Sequence, residues 1–174
     1  MIGDCSAEVV SSTVPCSTKW MKGTVNSFYI GIIATFIATV LGTMAALGLS
    51  RPHMPYKALI MSILISPMIV PLIITAAGMF FFYARINLVY TFTGVILAHV
   101  ALATPFVVIT VTATLVGFDM NMVKAAQSLG AKPIRTFFKV IMPLILPGII
   151  SGALFAFITS FDEVVIVMFM ASID

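Results

Sequence analysis

The stretch Gly117–Gly148, GFDMNMVKAAQSLGAKPIRTFFKVIMPLILPG, decides how this chain must fold. It carries four of the nine lysine and arginine residues and is the only long break in an otherwise apolar sequence. Its first half predicts a short helix, with Asp119 or Asn121 as N-cap and Gly130 as the left-handed residue after its end. A polar helix between long apolar runs is typical of a loop in a membrane protein.

A second helix is predicted directly after the first. Pro133 suits its first turn, because the missing proline N–H would be unpaired there in any case. Apolar residues recur at helical spacing on one face, Ile134, Phe137, Phe138 and Ile141, and basic residues lie on the other, Lys132, Arg135 and Lys139. Such a helix can lie on a membrane surface or against its own bundle. Pro143 and Pro147 are expected to end it.

The composition also indicates a membrane protein. Hydrophobic residues make up 61% of the 174 residues and charged residues 9%, whereas soluble domains carry about 25% charged residues. The formal charge of +3 would suggest a nucleic-acid partner in a soluble protein. Here the basic residues fall in short loops, as topology signals do, so no nucleic-acid partner is expected.

Four charge-poor runs are long enough to cross a bilayer, since a spanning helix needs about 20 apolar residues. The predicted helices are Val25–Leu49, Leu59–Tyr83, Leu88–Val116 and Leu146–Met170, which together form an all-α transmembrane bundle. The turn Arg51–Lys57 and the stretch Gly117–Gly148 together carry six basic residues, and the other side carries three. The positive-inside rule therefore places that stretch in the cytoplasm, with both termini outside after four crossings.

The same stretch resembles the cytoplasmic EAA loop in permease subunits of bacterial ABC importers. The family pattern is E-A-A, three residues, Gly, nine residues and I-x-L-P; Ala125, Ala126 and Gly130 match it, and 140–143 stands for I-x-L-P. Lys124 departs from it, because the family usually has a glutamate there that can meet a basic residue of the ATPase. In the family this loop forms the coupling helix that docks in a groove of the ATP-hydrolysing subunit. The resemblance implies an ATPase-coupling role for Lys124, Ala125, Ala126, Ser128, Leu129, Gly130 and Pro143.

The resemblance further implies a type I importer permease fold in the bacterial inner membrane. Residues 1–22 are then an extracytoplasmic leader without signal-peptide features, and 23–174 are the permease domain, with the coupling loop at 118–143. Family members have five or six helices, so a missing helix at each end is expected. The implied partners are a pair of ATP-binding cassette ATPases, a second permease subunit, identical or different, and an extracytoplasmic binding protein. No phosphate-binding loop of the G-x-x-x-x-G-K-[ST] type occurs, so a transport subunit rather than an enzyme is expected, with no cofactor.

The acidic pair Asp162 and Glu163 falls within the last predicted helix. A charged side chain at the bilayer centre costs about 2.5–3.5 kcal/mol on insertion scales, so it normally faces a cavity, a partner or a substrate. Two interpretations stay open: Glu163 caps a helix break or accepts from a neighbouring backbone, or the pair contacts a cation. The segment 160–165, SFDEVV, resembles the corresponding part of spermidine/putrescine permeases, which implies a polyamine substrate. Permeases for iron, thiamine, phosphonate, sulfate and molybdate share much of the pattern.

Pro67 and Pro71 interrupt the second predicted helix, either as a purely structural kink or as a kink that lines the path. The resemblance favours the second interpretation. The predicted substrate path therefore consists of Asp162, Glu163, Pro67 and Pro71.

Two further features bear on alternatives. His99, in the third helix, is expected to bond a neighbouring helix, and no metal-ligand spacing accompanies it. A secondary cation transporter or channel that uses Asp162, Glu163 and His99 is the second hypothesis, but it leaves the spacing within the loop unexplained. The sequence contains no Ser/His/Asp or metal-ligand cluster, which an intramembrane enzyme would need. The run Phe80–Tyr83 predicts an interfacial belt, and Cys5 and Cys16 form either a disulfide or two free thiols.

Overall fold

The computed structural model describes residues 16–51, 54–117 and 120–170. Within these ranges the regular structure is helical throughout, which confirms the all-α prediction. The helices are α1 Cys16–Leu49, α2 Lys57–Ile69, α3 Leu72–Arg85, α4 Phe92–Val116, α5 Met120–Ser128, α6 Pro133–Thr136, α7 Met142–Asp162 and α8 Val165–Met170. A π-helical turn, Phe137–Ile141, joins α6 to α7.

The long helices α1, α4 and α7 pack against one another and form the centre of the bundle. Small side chains make this approach close: Ala34, Ala38 and Ala46 of α1 are fully buried against residues that include Val107 and Val111 of α4. A Cβ added at Gly42 would come within 2.7 Å of the Cβ of Val107. Small residues matter here because lipid supplies no hydrophobic force between helices and close packing must hold them together.

Three helical stretches are long and apolar enough to cross a membrane, namely Met21–Leu49, Phe92–Val116 and Pro133–Asp162. The pair α2 and α3 adds a fourth span if its two halves are taken as one. Both counts refer to the described residues. They agree with a multi-pass membrane protein, whereas the orientation of the bundle stays a prediction.

The prediction of one helix from Leu59 to Tyr83 is wrong. α2 ends at Ile69 and α3 begins at Leu72, and their axes differ by 105°. Pro67 has no N–H to offer to the carbonyl of Ile63, and the hydroxyl of Ser66 donates to that carbonyl instead, at 2.8 Å. The sequence predicts a kink at Pro67 and Pro71, but the two prolines together break the helix into α2 and α3.

The prediction that Pro143 and Pro147 end the second loop helix is also wrong. Helical structure continues from Pro133 to Asp162 without a break. The N–H of Met142 donates to the carbonyl of Phe137, which shifts the hydrogen-bond ladder by one residue just before Pro143. Pro143 then lies in the first turn of α7, where a missing N–H is tolerated.

Several helix ends also differ from the predictions. α1 begins at Cys16 rather than Val25, and α7 ends at Asp162 instead of continuing to Met170. α4 begins at Phe92 rather than Leu88, because the hydroxyl of Thr91 accepts from the N–H of Gly94 and caps the helix. Asn121 lies inside the first turn of α5 and is not its cap. The alternative cap, Asp119, and the pairing of Cys5 with Cys16 fall outside the described residues and side chains.

Candidate functional site

The loop between α4 and α7 folds into α5, α6 and the π-helical turn. α5 packs chiefly against α6 and that turn. Large apolar side chains are left in the open, with Leu129 88% and Met122 51% exposed. A short helix outside the apolar spans that exposes such side chains is a surface suited to a protein partner.

Gly130 ends α5 in the way its sequence position predicts. Its φ of 80° is left-handed, its N–H donates to the carbonyl of Gln127 at 2.9 Å, and the N–H of Ala131 donates to Ala126 at 3.1 Å. These two bonds form a Schellman motif, which satisfies carbonyl groups that the helix end would otherwise leave open. The chain therefore turns sharply after α5 and continues into α6, which packs against α5 and the π-helical turn.

The residues predicted to couple to an ATPase lie mostly at the C-terminal half of α5. Ala126 is half-buried, while Lys124, Ala125, Ser128, Leu129 and Gly130 are exposed. Pro143 is exposed but stands apart, in the first turn of α7. The four basic residues of this loop, Lys124, Lys132, Arg135 and Lys139, are all exposed. The exposed surface of the loop between α4 and α7 therefore combines apolar side chains with positive charges.

Asp162 and Glu163 lie at the break between α7 and α8, and the structure separates them. Glu163 is 9% exposed, and its Oε1 accepts a hydrogen bond from the N–H of Ile166 at 3.1 Å. This contact caps the first turn of α8 and bears out the structural interpretation of Glu163. Asp162 is exposed. Whether either carboxylate also contacts a substrate stays a prediction.

A cavity of about 390 Å³ lies at the break between α2 and α3. Pro67, Pro71 and Glu163 line it, so three of the four predicted path residues come together, whereas Asp162 is not part of its wall. The N–H of Ile74 donates to the carbonyl of Pro71 at 2.9 Å and begins the hydrogen-bond ladder of α3. The C-terminal end of α2, which is the negative end of its dipole, adjoins the cavity through Met68 and Ile69.

A second cavity, of about 530 Å³, lies between α1, α4, α7 and the start of α8, and Glu163 lines this one as well. His99 and Ser160 are in its wall. The Nδ1 of His99 lies 2.8 Å from the Oγ of Ser160, a contact that links α4 to α7 and confirms the expected bond to a neighbouring helix. Sequence reasoning missed this role of Ser160, which lies 61 positions from His99.

The structure also shows where the aromatic run Phe80–Tyr83 lies. Phe81 and Phe82 are 69% and 62% exposed, while Tyr83 is buried in a cluster with α4 and α8. The aromatic run therefore faces largely outward and does not enclose a ligand. Among the residues that the structure describes, no three His, Cys, Asp or Glu side chains come together as a metal site would require.

Residues 38–174 match the family model described as "Binding-protein-dependent transport system inner membrane component". The match covers most of the chain, including the loop between α4 and α7, the smaller cavity and the break at Glu163, whereas Gly23, Asn26, Ser27 and Ile30 in the wall of the larger cavity precede it.

Curated relatives cover most of the same residues. The spermidine/putrescine transport system permease protein PotC of Haemophilus influenzae is 31% identical over 154 residues, which are 88% of this chain and 60% of that protein. PotC of Escherichia coli K12 is 28% identical over 164 residues, 88% of this chain and 62% of that protein. The trehalose transport system permease protein SugB of Mycobacterium tuberculosis is 33% identical over 144 residues, 83% of this chain and 53% of SugB. The chain thus spans between half and two thirds of the length of these relatives.

Proposed function

The chain belongs to the family of inner membrane components of binding-protein-dependent transport systems, and we propose that it acts as a permease subunit of an ATP-driven importer for polyamines. Family membership, with the apolar spans, confirms the predicted family, the inner-membrane location and the assignment to transport components rather than enzymes. The substrate and the partner subunits are the proposed part.

The observation that carries the proposal is the exposed surface of α5. Leu129 and Met122 project from a helix that Gly130 ends sharply, and Lys124 lies exposed between them in sequence. An apolar surface with a central charge fits a groove on a soluble partner better than it fits lipid or water. We assign this groove to an ATP-binding cassette ATPase, and the exposed lysine suits an acidic residue within it.

A continuous helical stretch provides the mechanical link to the membrane interior. The 30 residues Pro133–Asp162 run from the α5 loop to the break beside Glu163, about 45 Å at 1.5 Å per residue. Movement of α5 during ATP-driven closure of the ATPases would therefore displace the wall of both cavities. A substrate biases this motion only through different affinities for the two states, and a contact at Glu163 would supply that difference.

The buried carboxylate of Glu163 favours a cationic substrate. Within the described residues its only hydrogen-bond or ion-pair partner is the N–H of Ile166. An uncompensated buried charge is costly, and an ammonium group in either adjoining cavity would offset that cost. Polyamines carry several such groups, and the similarity to PotC proteins supports this class.

Sugar transport is the second candidate, because SugB is 33% identical over most of this chain. Hydroxyl groups of a sugar would use the polar walls of the cavity of about 530 Å³, including Asn26, Ser27 and Thr91. A sugar would leave the charge of Glu163 uncompensated, which is why this candidate ranks second.

Uptake measurements in membrane vesicles that contain the chain and its ATPase test the proposal. Labelled spermidine should accumulate only with ATP, and excess unlabelled trehalose should not compete. Replacing the phosphate-loop lysine of the ATPase should abolish accumulation. Uptake that persists after this change would instead favour the secondary-transporter alternative.

A further inference from the structure

The cavity of about 530 Å³ contains two polar side chains, His99 and Ser160, to which the proposed coupling role and path assign no part. Tyr90 and Thr91 line it at the start of α4, and His99 lines it two turns deeper, about 12 Å along the helix axis. Asn26 and Ser27 of α1 contribute to the opposite wall. The cavity therefore extends from the end of the bundle opposite α5 down to His99.

His99 is the most enclosed polar side chain in this wall, with 2% of its surface exposed. Its Nδ1 bonds to Ser160, but its Nε2 is buried and has no hydrogen-bond partner within the described part of the chain. A buried ring nitrogen without a partner is costly, and the residue lines a cavity large enough for a ligand. A ligand in the cavity would satisfy it.

The chemistry of that ligand depends on the tautomer of His99. When Nδ1–H donates to the hydroxyl oxygen of Ser160, Nε2 presents a lone pair and accepts from a ligand N–H. In the other tautomer Nε2–H is a donor and would suit a sugar hydroxyl or a carbonyl oxygen. The Glu163 carboxylate in the same wall favours the first tautomer, because a positively charged N–H donor in the ligand also offsets the charge of that carboxylate.

We propose that this cavity binds a protonated amine, with His99 Nε2 as hydrogen-bond acceptor, Ser160 as the residue that orients the ring, and the Glu163 carboxylate as counter-charge. The inference rests on the proposed polyamine function and adds a named contact to it. Tyr90 and Phe92, 65% and 57% exposed at the cavity mouth, offer aromatic faces to further ammonium groups of a linear polyamine.

Two isosteric substitutions separate the ring nitrogens. The amide of His99→Asn lies where Nδ1 is, so it keeps the bond to Ser160 and loses the ligand contact. The amide of His99→Gln reaches the Nε2 position and restores an acceptor there. With the purified chain in lipid nanodiscs, equilibrium binding of labelled spermidine should weaken roughly tenfold to a hundredfold in His99→Asn and only a few-fold in His99→Gln.

Thr112→Val is the matched control. Thr112 lies on the same helix, is also buried, and its hydroxyl has no partner in the described structure, yet it does not line this cavity. Its removal should leave spermidine binding unchanged. A readout without a substitution at His99 comes from ¹⁵N-histidine spectra, in which spermidine should shift the Nε2 signal of His99.

The outcomes separate this inference from the proposed function. Wild-type affinity in His99→Asn together with an unshifted His99 signal would overturn the amine site, and so would competition by trehalose but not by putrescine. If Glu163→Gln then lost binding while His99→Asn did not, a polyamine function would stand without this site. If the wild-type chain bound spermidine but showed no ATP-dependent uptake, the importer proposal would be contradicted and the amine site would stand.

Discussion

The carboxylate of Glu163 accepts a hydrogen bond from the N–H of Ile166 at 3.1 Å, at the point where α7 ends and α8 begins. This contact caps the first turn of α8, whose Ile166 and Met170 are buried in a cluster with α3 and α4. The same side chain lines both cavities. One residue thus joins helix capping to the proposed path.

Substitutions at Glu163 should separate these two roles. Glu163→Gln keeps an oxygen that accepts from Ile166, so the thermal stability of the purified chain should change little. Glu163→Ala removes the acceptor and should lower the free energy of unfolding by about 0.5–2 kcal/mol. Asp162→Asn is the control, because Asp162 is exposed and should show no loss. Equal stability of the Ala and Gln variants would contradict the capping role.

Gly130→Val should disturb the end of α5. A residue with a Cβ costs about 1–2 kcal/mol in the left-handed conformation, and a β-branched residue is less tolerant still. We expect lower yield of the complex with the ATPase in pull-down measurements, with the membrane helices intact by circular dichroism. Gly117→Ala is matched to it, since Gly117 has a φ of −77° and should accept alanine. An unchanged yield for Gly130→Val would count against the coupling role of this turn.

Gly42→Ala should loosen the contact between α1 and α4. The added Cβ would lie 2.7 Å from Val107, and overpacking of this kind costs about 1–3 kcal/mol. Gly48 lies on the same helix and has nothing within 4 Å of an added Cβ, so Gly48→Ala should be neutral or slightly stabilising. Unfolding in mixed detergent micelles compares the two. A smaller loss for Gly42→Ala than for Gly48→Ala would show that the helices pack differently.

Ser66→Ala should destabilise the break between α2 and α3. Its hydroxyl is the donor that replaces the missing N–H of Pro67 at the carbonyl of Ile63, and loss of a typical hydrogen bond costs about 0.5–1.5 kcal/mol. Ser62 makes a similar bond to Ala58, whose carbonyl lies in regular helix, so Ser62→Ala should cost less. Unfolding of both variants by the same detergent assay is the measurement. Identical losses would mean that Ser66 has no special role at the break.

Much of the fold follows from local chemistry, and the departures arise where tertiary packing decides. The left-handed Gly130 and the buried small residues of α1 are visible in the sequence, because they depend on residue type and spacing. Two prolines four residues apart predict a disturbed helix, yet the angle of 105° depends on how α3 packs against α8. The prediction that Pro143 ends a helix is wrong because a π-helical turn before it removes the need for its N–H.

The candidate site was predictable in part for a related reason. Glu163, Pro67 and Pro71 stand out as costly groups in apolar runs, and they line one cavity. Asp162 and Glu163 are adjacent in sequence, but the break after α7 places one in the open and the other inside. The partnership of His99 with Ser160 joins residues 61 positions apart, and no local pattern reveals it.

Site-directed cross-linking from α5 tests the central claim most directly. A photoreactive residue at Leu129, which is 88% exposed, should form an adduct with an ATP-binding cassette ATPase, and ATP should change its yield. The same residue at Met168, 72% exposed on α8 beyond the α7 break, should form none. An ATPase adduct from Leu129 alone is the predicted result. No adduct from Leu129, or labelling of that position by a reagent confined to the outer face of the membrane, would contradict the account.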